Sequence, residues 1–356
     1  MILIKNARID GALSCVTVED GKILSVAAGD GLASTHADRV IDAGGAHLYA
    51  GLIDVHTHGI GGMDTMDGDN LPALAAAYLA AGTTTVYPTT VTAAGDRLRA
   101  LLSQDISFAG GANILGFHVE GPYINPRAAG AQDPAYIKNP DREELSSFEN
   151  VAILTLAPEL DGAMEMIRET NACVALGHTV CDEETALAAF RAGAKHLTHT
   201  CNAMPPLSHR APGPIGAAIE ADAYVQVISD GLHLHKNMVL ALYRIFGARR
   251  MILVSDSMRA TGMPDGNYML GGLDITVKDG VARTQDGALA GSTTTLLGCV
   301  RKAISFGIPA ADAFAMASRT PAEMLGLPKG VIAPGYDAEF VLVDDEYNLI
   351  ETFIFT

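Results

Sequence analysis

The chain has 356 residues, and its 41 acidic against 24 basic side chains give a formal net charge of −17. This balance argues against a protein that binds nucleic acid or an anionic membrane surface. Hydrophobic residues make up 49% of the sequence and charged residues 18%, which excludes a disordered chain and provides for a large core. The length exceeds what a single core usually holds, so we expect one large domain and a smaller one.

The cysteines and the N-terminal pattern indicate the compartment. Five scattered cysteines, without a CxxC pair, are typical of a reducing environment. Residues 1–23 alternate between apolar and polar, which predicts strands rather than a signal peptide. The longest weakly polar stretch, 71–82, is about half the ~20 residues that a membrane span requires. We therefore expect a cytoplasmic protein without a membrane segment.

Between residues 51 and 255, short β-branched runs alternate with Ala/Leu-rich segments of helical spacing, which predicts a parallel sheet with helical crossovers. Eight such runs favour an α/β fold of the (β/α)₈ TIM-like barrel type over a doubly wound sheet, which would usually carry a GxGxxG turn. The barrel is expected over residues 51–330. The predicted strands are 52–58, 84–90, 113–119, 151–157, 173–177, 196–200, 224–229 and 251–255.

The two ends of the chain differ from the middle. Residues 1–50 and 331–356 alternate with a period of two and contain no long helical pattern. We expect them to pair in one small domain, a β-sandwich built from both termini. A further hairpin is predicted over residues 268–282, with its turn at Asp279-Gly280.

Metal-ligating residue types cluster at the predicted strand ends. His56 and His58 close the first strand, and the two-residue period of a strand points both imidazoles to one face. Glu120 ends the third strand, and His178 and His199 end the fifth and sixth. The carboxyl ends of barrel strands meet at one rim. One carboxylate and four imidazoles there predict a zinc ion or a similar divalent cation, and the carboxylate could bridge two ions.

Three further polar residues lie on the same predicted rim. Asp256 ends the eighth strand, where an isolated aspartate usually caps the next loop, but beside a metal it can accept a proton from water and pass it to a leaving amine. His233 is a candidate for stabilising an oxyanion, with a surface histidine as the alternative. Arg210, in a long Pro-rich loop, suits a phosphate or carboxylate, although a solvated loop arginine is equally common.

Seven motifs follow one another along nearly the whole chain: AGLIDVHTHG, GFHVEGPYI, LGHT, THTCNAMPPLSHRAPG, SDGLH, LVSDSM and LAGS. Together they resemble the amidohydrolase superfamily and, within it, the N-acetylglucosamine-6-phosphate deacetylases. The HxH pair is evidence only for the superfamily. The FHVEGP and HTCNAM…HRAPG signatures are much more specific to the deacetylase group.

The resemblance implies roles for the residues at the rim. Glu120, His178 and His199 would hold the principal metal. The HxH pair, His56 and His58, matches members that can hold a second metal, whereas other members replace it. His118 matches a structural position, and no strand-end lysine is suited to the bridge that other amidohydrolases use. The implied catalytic acid/base is Asp256, and the implied contact to the substrate amide is His233.

Substrate positions are also implied by the resemblance. Asn202, Ala203 and Arg210 match substrate-binding positions, and Arg210 would reach the phosphate in the neighbouring subunit's site of a homodimer. A loop expected to close near the acetyl group comprises Leu289, Ala290 and Gly291.

The implied reaction is the metal-dependent hydrolysis of N-acetyl-D-glucosamine 6-phosphate to glucosamine 6-phosphate and acetate, in amino sugar catabolism. Zinc is the expected metal, as one or two ions per subunit, although the same donors accept iron or manganese. One alternative is another N-acyl substrate, such as N-acetylgalactosamine 6-phosphate or an acylated amino acid. The other is a non-enzymatic relative that keeps the barrel as an interaction scaffold.

Overall fold

The computed structural model describes residues 1–29 and 36–356, so positions 30–35 of the predicted N-terminal region lie outside it. The strands in the described residues are β1 Ile2–Ile9, β2 Ala12–Glu19, β3 Lys22–Ala28, β4 Arg39–Asp42, β5 His47–Ala50, β6 Leu52–Thr57, β7 Gly59–Ile60, β8 Met63–Asp64, β9 Thr83–Pro88, β10 Asn113–Ile114, β11 Phe117–Glu120, β12 Val151–Leu156, β13 Cys173–Leu176, β14 His196–Leu197, β15 Tyr224–Val227, β16 Met251–Leu253, β17 Gly266–Leu270, β18 Leu273–Lys278, β19 Val281–Thr284, β20 Glu339–Val343 and β21 Leu349–Ile354. The α-helices are α1 Leu71–Ala80, α2 Gly95–Leu102, α3 Arg142–Ser146, α4 Ala163–Glu169, α5 Glu183–Ala192, α6 Gly213–Glu220, α7 Lys236–Phe246, α8 Leu296–Ser305, α9 Ala310–Met316 and α10 Arg319–Leu325. None of these helices has the length and apolarity needed to cross a membrane.

Parallel strands, β6 and β9 to β16, form the barrel that the alternating pattern predicts. The strands pair in the orders β10-β9-β6 and β11-β12-β13-β14-β15-β16, with β10 and β11 forming the two halves of the third strand. Backbone hydrogen bonds close the two gaps: Asp256 N donates to the carbonyl of His56 at 2.9 Å, and Thr90 N donates to that of His118 at 2.9 Å. The predicted (β/α)₈ barrel is confirmed.

Alternate strand residues enter different apolar clusters, as a pleated strand buried on both faces requires. In the eighth strand, Ile252 and Val254 belong to a small cluster with Ile153 of the fourth strand. Met251 and Leu253 belong instead to the large cluster shared with the helices. The barrel strands are therefore packed on both faces, and the polar residues at their ends follow buried, well-packed strands.

Strands from both termini form one small domain, as the period-two patterns predict. Their hydrogen-bonded order is β21-β20-β5-β1-β2-β3, and β4 pairs with the first half of β1 while β5 pairs beyond it. The strands form one hydrogen-bonded sheet in which β4 and β5 share the same edge of β1, one after the other. Residues 335–338, just before β20, also hydrogen bond to the start of β3. A separate apolar cluster, which includes Ile4, Val16 and Phe340, fills this domain.

Glu339 connects the small domain to the barrel. It is the first residue of β20, and its carboxylate accepts hydrogen bonds from Thr85 Oγ1 at 3.1 Å and Asn113 Nδ2 at 2.7 Å. Lys329, itself buried, pairs with the same carboxylate. A single buried carboxylate therefore joins the terminal sheet to the second and third barrel strands.

A three-stranded antiparallel sheet, β17-β18-β19, follows the eighth barrel strand. The predicted turn at Asp279-Gly280 is present: Lys278 pairs with Val281, and both turn residues have positive φ, at 53° and 72°. Only Gly and, less readily, Asp or Asn adopt such a turn without strain. The chain then passes along the barrel rim at residues 288–291 before α8 begins.

Candidate active site

A cavity of about 420 Å³ opens at the carboxyl ends of the barrel strands. Its size suits a small ligand. Among the described residues that line it, Glu120 and Asp256 are the acids and Arg127 is the only lysine or arginine. The other polar lining residues are His58, Gln132, His178, His199, Asn202 and His233.

Glu120 lies at the centre of the predicted ligand set. Its Oε1 is 3.3 Å from His56 Nε2, 3.3 Å from His178 Nε2 and 3.1 Å from His199 Nε2. Its Oε2 is 3.4 Å from His58 Nε2. Four imidazoles from three separate barrel strands therefore meet one carboxylate, as the strand-end positions predicted.

Hydrogen bonds to the outer ring nitrogens orient three of these imidazoles. His58 Nδ1 lies 3.1 Å from the carbonyl oxygen of Thr89, and His178 Nδ1 lies 2.8 Å from that of Ala128. A carbonyl oxygen only accepts, so each Nδ1 carries a proton, and Nε2, which faces Glu120, is the nitrogen that a cation would bind. His56 Nδ1 lies 3.0 Å from Gln226 Oε1, an arrangement of the same kind.

The backbone helps to aim the ligands. His178 and His199 each lie two residues beyond the end of their strand, with φ of 46° and 26°. Asp256 has φ of 47°. Non-glycine residues rarely adopt this left-handed region, and they concentrate at functional sites, where the surrounding structure holds them. The predicted strands 173–177, 196–200 and 251–255 are shorter in the structure because the chain leaves the extended conformation there.

The cluster has the donor set of a cation site. Two groups of side chains could each hold an ion, because within each group the potential ligand atoms lie within 4.8 Å of one another. The groups are His56, His58 and Glu120, and Glu120, His178 and His199. His56 Nε2 and Glu120 Oε1 are buried and make no hydrogen bond within the described residues. Unpartnered buried polar atoms are costly, and a divalent cation would satisfy both. Glu120 belongs to both groups and can serve one ion or two.

Electrostatics also favour a cation. Burial alone would raise the pKa of Glu120, but His56 and His178 hold it well below its ordinary value. Burial likewise opposes ionisation of Asp256, yet His56 and His58 lower its pKa to about 2. Both carboxylates are therefore ionised. Burial also opposes the charged form of His56, but Glu120 and Asp256 raise its pKa to about 9, so a proton resides there until a cation replaces it.

Asp256 faces the cluster from the eighth strand. Its Oδ1 lies 3.2 Å from His58 Nε2 and 3.5 Å from His56 Nε2. Its backbone is held on both sides, since its N–H donates to His56 and its carbonyl accepts from Ser292 N at 2.6 Å. The carboxylate is thus fixed between the cluster and the cavity, where it can exchange a proton with a bound molecule.

His233 lines the same cavity, and Asp230 fixes its ring. His233 Nδ1 donates to Asp230 Oδ2 at 2.7 Å, while the other carboxylate oxygen accepts the N–H groups of Leu232 and His233. Burial alone would lower the pKa of His233, but the hydrogen bond and charge of Asp230 raise it above its ordinary value. A protonated His233 directs Nε2–H away from Asp230 and can donate to an oxygen in the cavity.

The structure brings together most of the predicted substrate residues. Asn202, Ala203, Leu289 and Gly291 line the cavity, and Ala290 is buried beside them. Arg210 is the exception: it is exposed, does not line this chain's cavity and donates to His209.

Both ring nitrogens of His118 are occupied. Nδ1 donates to the carbonyl of Val55 at 2.9 Å, and Nε2 lies 2.7 Å from Thr155 Oγ1. This geometry leaves no lone pair for a ligand. It agrees with the structural position that the resemblance implied.

Sequence reasoning missed two glutamines and one arginine. Gln132 Nε2 donates to Glu120 Oε2 at 2.7 Å, and its own Oε1 accepts from Thr92 N at 2.6 Å. Gln226 contacts His56, as described above, and Arg127 lines the cavity. The available signal for Gln226 was one polar side chain in the apolar run Tyr-Val-Gln-Val-Ile.

Comparison with known proteins agrees with this geometry. The model of the amidohydrolase family matches residues 47–356. An N-acetylglucosamine-6-phosphate deacetylase from Vibrio furnissii is 39% identical, over 95% of this chain and 89% of that protein. An N-acetylgalactosamine-6-phosphate deacetylase from Escherichia coli O157:H7 is 37% identical, over 86% of each chain.

A solved structure is similar over almost the whole chain. It is an alanine variant of N-acetyl-D-glucosamine-6-phosphate deacetylase from Mycobacterium smegmatis, in complex with N-acetyl-D-glucosamine 6-phosphate. It is 32% identical, has a TM-score of 0.89, and the match covers 99% of this chain and 97% of that one.

Proposed function

Because the chain belongs to the amidohydrolase family, whose members are metal-dependent, we propose that it hydrolyses N-acetyl-D-glucosamine 6-phosphate to D-glucosamine 6-phosphate and acetate in amino sugar catabolism. The observation that carries the proposal is the convergence of Glu120, His178 and His199 with Asp256 and His233 in one cavity. The named activities of the relatives supply the substrate class.

Two overlapping sets of side chains would hold the metal. Glu120, His178 and His199 would hold the principal ion, and His56 and His58 with Glu120 would provide for a second. Imidazole and carboxylate donors suit zinc, with iron or manganese as the alternatives to be distinguished by elemental analysis. A divalent cation in this place supplies positive charge that polarises a carbonyl group and lowers the pKa of water.

Asp256 and His233 carry the proton transfers and the oxyanion contact. Asp256 accepts a proton from the water whose oxygen bonds to the acetyl carbonyl carbon. His233 Nε2–H donates to the carbonyl oxygen as negative charge develops there. Asp256 then delivers the proton to the amide nitrogen as the carbon–nitrogen bond breaks, which releases acetate and the amino sugar. The loop of Leu289, Ala290 and Gly291 encloses the acetyl group.

Asn202 and Ala203 bind the sugar phosphate within the chain, through a side-chain amide and a backbone N–H. Arg210 completes the phosphate site of a second copy in a homodimer. Its exposed guanidinium outside its own cavity supports this arrangement. Two loops that follow barrel strands also carry exposed apolar side chains, which a second copy would cover: Leu207, in the loop of Arg210, at 43% and Leu232, in the loop after β15, at 52% exposure.

Mixed dimers test the shared site. An Arg210→Ala chain and an Asp256→Asn chain are each expected to be nearly inactive alone. In a mixed dimer, the Arg210→Ala chain keeps its own Asp256 and receives Arg210 from its neighbour, so coexpression should restore about a quarter of wild-type activity. No recovery in a verified mixed dimer would contradict the shared site.

The protein is expected to act in the cytoplasm, since its five cysteines are all unpaired. The galactosamine epimer is the second candidate substrate, because one relative is named for it. Acetate release from the two epimeric phosphates and from unphosphorylated N-acetylglucosamine tests the proposal. We expect the highest kcat/KM for the glucosamine phosphate. A higher value for its epimer would reassign the substrate, and no release from any of them would contradict the deacetylase function.

A further inference from the structure

One buried glutamine contacts both groups of potential metal ligands. Gln226 lies in β15, and its side chain faces the inside of the barrel with no exposed surface. Its Oε1 lies 3.0 Å from His56 Nδ1 and 3.3 Å from the backbone nitrogen of His199. His56 belongs to one ligand group and His199 to the other.

The orientation of the Gln226 amide follows from its two neighbours. The backbone nitrogen of His199 can only donate, so the atom facing it is the amide oxygen and not the NH₂ group. The same oxygen faces His56, which requires His56 Nδ1 to carry the hydrogen. His56 Nε2, on the opposite side of the ring, then faces Glu120 and is the nitrogen that a cation would bind.

We propose that Gln226 is a positioning residue that couples the two metal-ligand groups, and this inference rests on the metal centre of the proposed function. Through a single oxygen it holds the His56 ring and anchors the backbone at His199. When one ion fixes His199, the backbone of His199 also fixes the Gln226 side chain. Gln226 in turn fixes the His56 ring, which a second ion requires as a ligand. Hydrogen-bond partners of this kind typically account for a 10–100-fold change in metal affinity.

Three variants separate positioning from mere structural support. Gln226→Met keeps the length of the side chain and removes the acceptor, whereas Gln226→Glu keeps an acceptor for both donors. Ser229→Ala, two residues beyond the end of the same strand, removes a buried hydrogen bond to the carbonyl of Cys299 without touching a ligand. Circular dichroism and thermal unfolding establish that each variant is folded. Should Gln226→Met fail to fold, Gln226→Leu takes its place.

Zinc binding to the metal-stripped proteins is the first readout, measured by titration against a competing zinc chelator. We expect two ions per wild-type chain, and a 10–100-fold weaker second ion in Gln226→Met. In Gln226→Glu, whose carboxylate also accepts and adds negative charge, the affinity should be at least that of wild type, and in Ser229→Ala it should stay within threefold of wild type. Unchanged binding of two ions by Gln226→Met would overturn the coupling alone. A wild-type chain that takes up no zinc would contradict the proposed metal centre itself.

The second readout does not depend on metal. In histidine-labelled, metal-free protein, the His56 Nδ1–H proton should give a slowly exchanging nuclear magnetic resonance signal, which His56→Ala assigns by removing it. We expect this signal in wild type and Gln226→Glu and its loss in Gln226→Met. A signal that persists unchanged in Gln226→Met would overturn the positioning role.

Discussion

Replacing Asp256 with asparagine removes one negative charge and one proton acceptor while leaving the surrounding structure in place. The backbone of Asp256 has φ of 47°, a conformation that asparagine tolerates well. Its two backbone hydrogen bonds, to His56 and Ser292, do not involve the carboxylate. The variant should therefore fold normally, and any loss of activity reports on the side chain.

The size of the loss follows from what else lines the cavity. Glu120 is the other acid among the described lining residues, and its oxygens already face Gln132 and the imidazoles, so no free carboxylate can replace Asp256. General acid–base catalysis typically contributes ~10²–10⁴-fold. We therefore expect kcat to fall by that factor, equivalent to about 2.7–5.4 kcal/mol at ~1.36 kcal/mol per tenfold.

The assay is acetate release at saturating N-acetyl-D-glucosamine 6-phosphate, with zinc content measured on the same sample. Asp161→Asn, an exposed position, makes the same chemical change away from the cavity and should leave kcat within twofold. A kcat for Asp256→Asn within tenfold of wild type, at unchanged zinc content, would refute the assignment of Asp256 as the proton carrier.

Three further predictions concern the phosphate, the oxyanion contact and the domain junction. Arg210→Ala should lower kcat/KM at least ~10-fold more for the phosphorylated substrate than for unphosphorylated N-acetylglucosamine. Only the phosphorylated substrate loses a charge-assisted hydrogen bond in this variant. Equal losses for the two substrates would exclude a phosphate role. Asp230→Asn removes the charge that raises the pKa of His233. The fall in kcat as rising pH removes the proton of His233 should therefore begin at lower pH than in wild type, and an unchanged pH profile would contradict the need for a protonated His233. Glu339→Ala removes the acceptor of Thr85 and Asn113 and leaves Lys329 paired only with Asp337. It should reduce the free energy of unfolding by ~1–3 kcal/mol in urea titrations, and a loss below ~0.5 kcal/mol would show that the junction contributes little.

The barrel was predictable because its signals are local and repeated. Runs such as Val151–Leu156 are rich in β-branched and aliphatic residues and are followed by amphipathic helices. The helix α6, Gly213–Glu220, was not predicted, because Gly and Pro at its start are typical of a loop. Its buried face packs against the barrel, and such tertiary contacts override local preference.

The candidate site was predictable to the extent that strand ends converge. That rule places Glu120, His178 and His199 together without any knowledge of the side-chain contacts. It gives no information about Gln132 or Gln226, since a single glutamine has no diagnostic spacing and acts only through a neighbour brought to it by the fold. The left-handed backbone of His178 and His199 was also invisible, because local sequence seldom predicts that conformation in a non-glycine residue.

The central claim is that the Glu120 cluster holds the metal required for hydrolysis. The most direct test is to add zinc stepwise to metal-stripped protein and to follow acetate release from N-acetyl-D-glucosamine 6-phosphate. Activity should be absent without metal, rise with bound zinc and level off by the second ion per chain, and Glu120→Gln should neither retain zinc nor gain activity. Full activity in the metal-stripped protein, or wild-type activity in Glu120→Gln, would contradict the account.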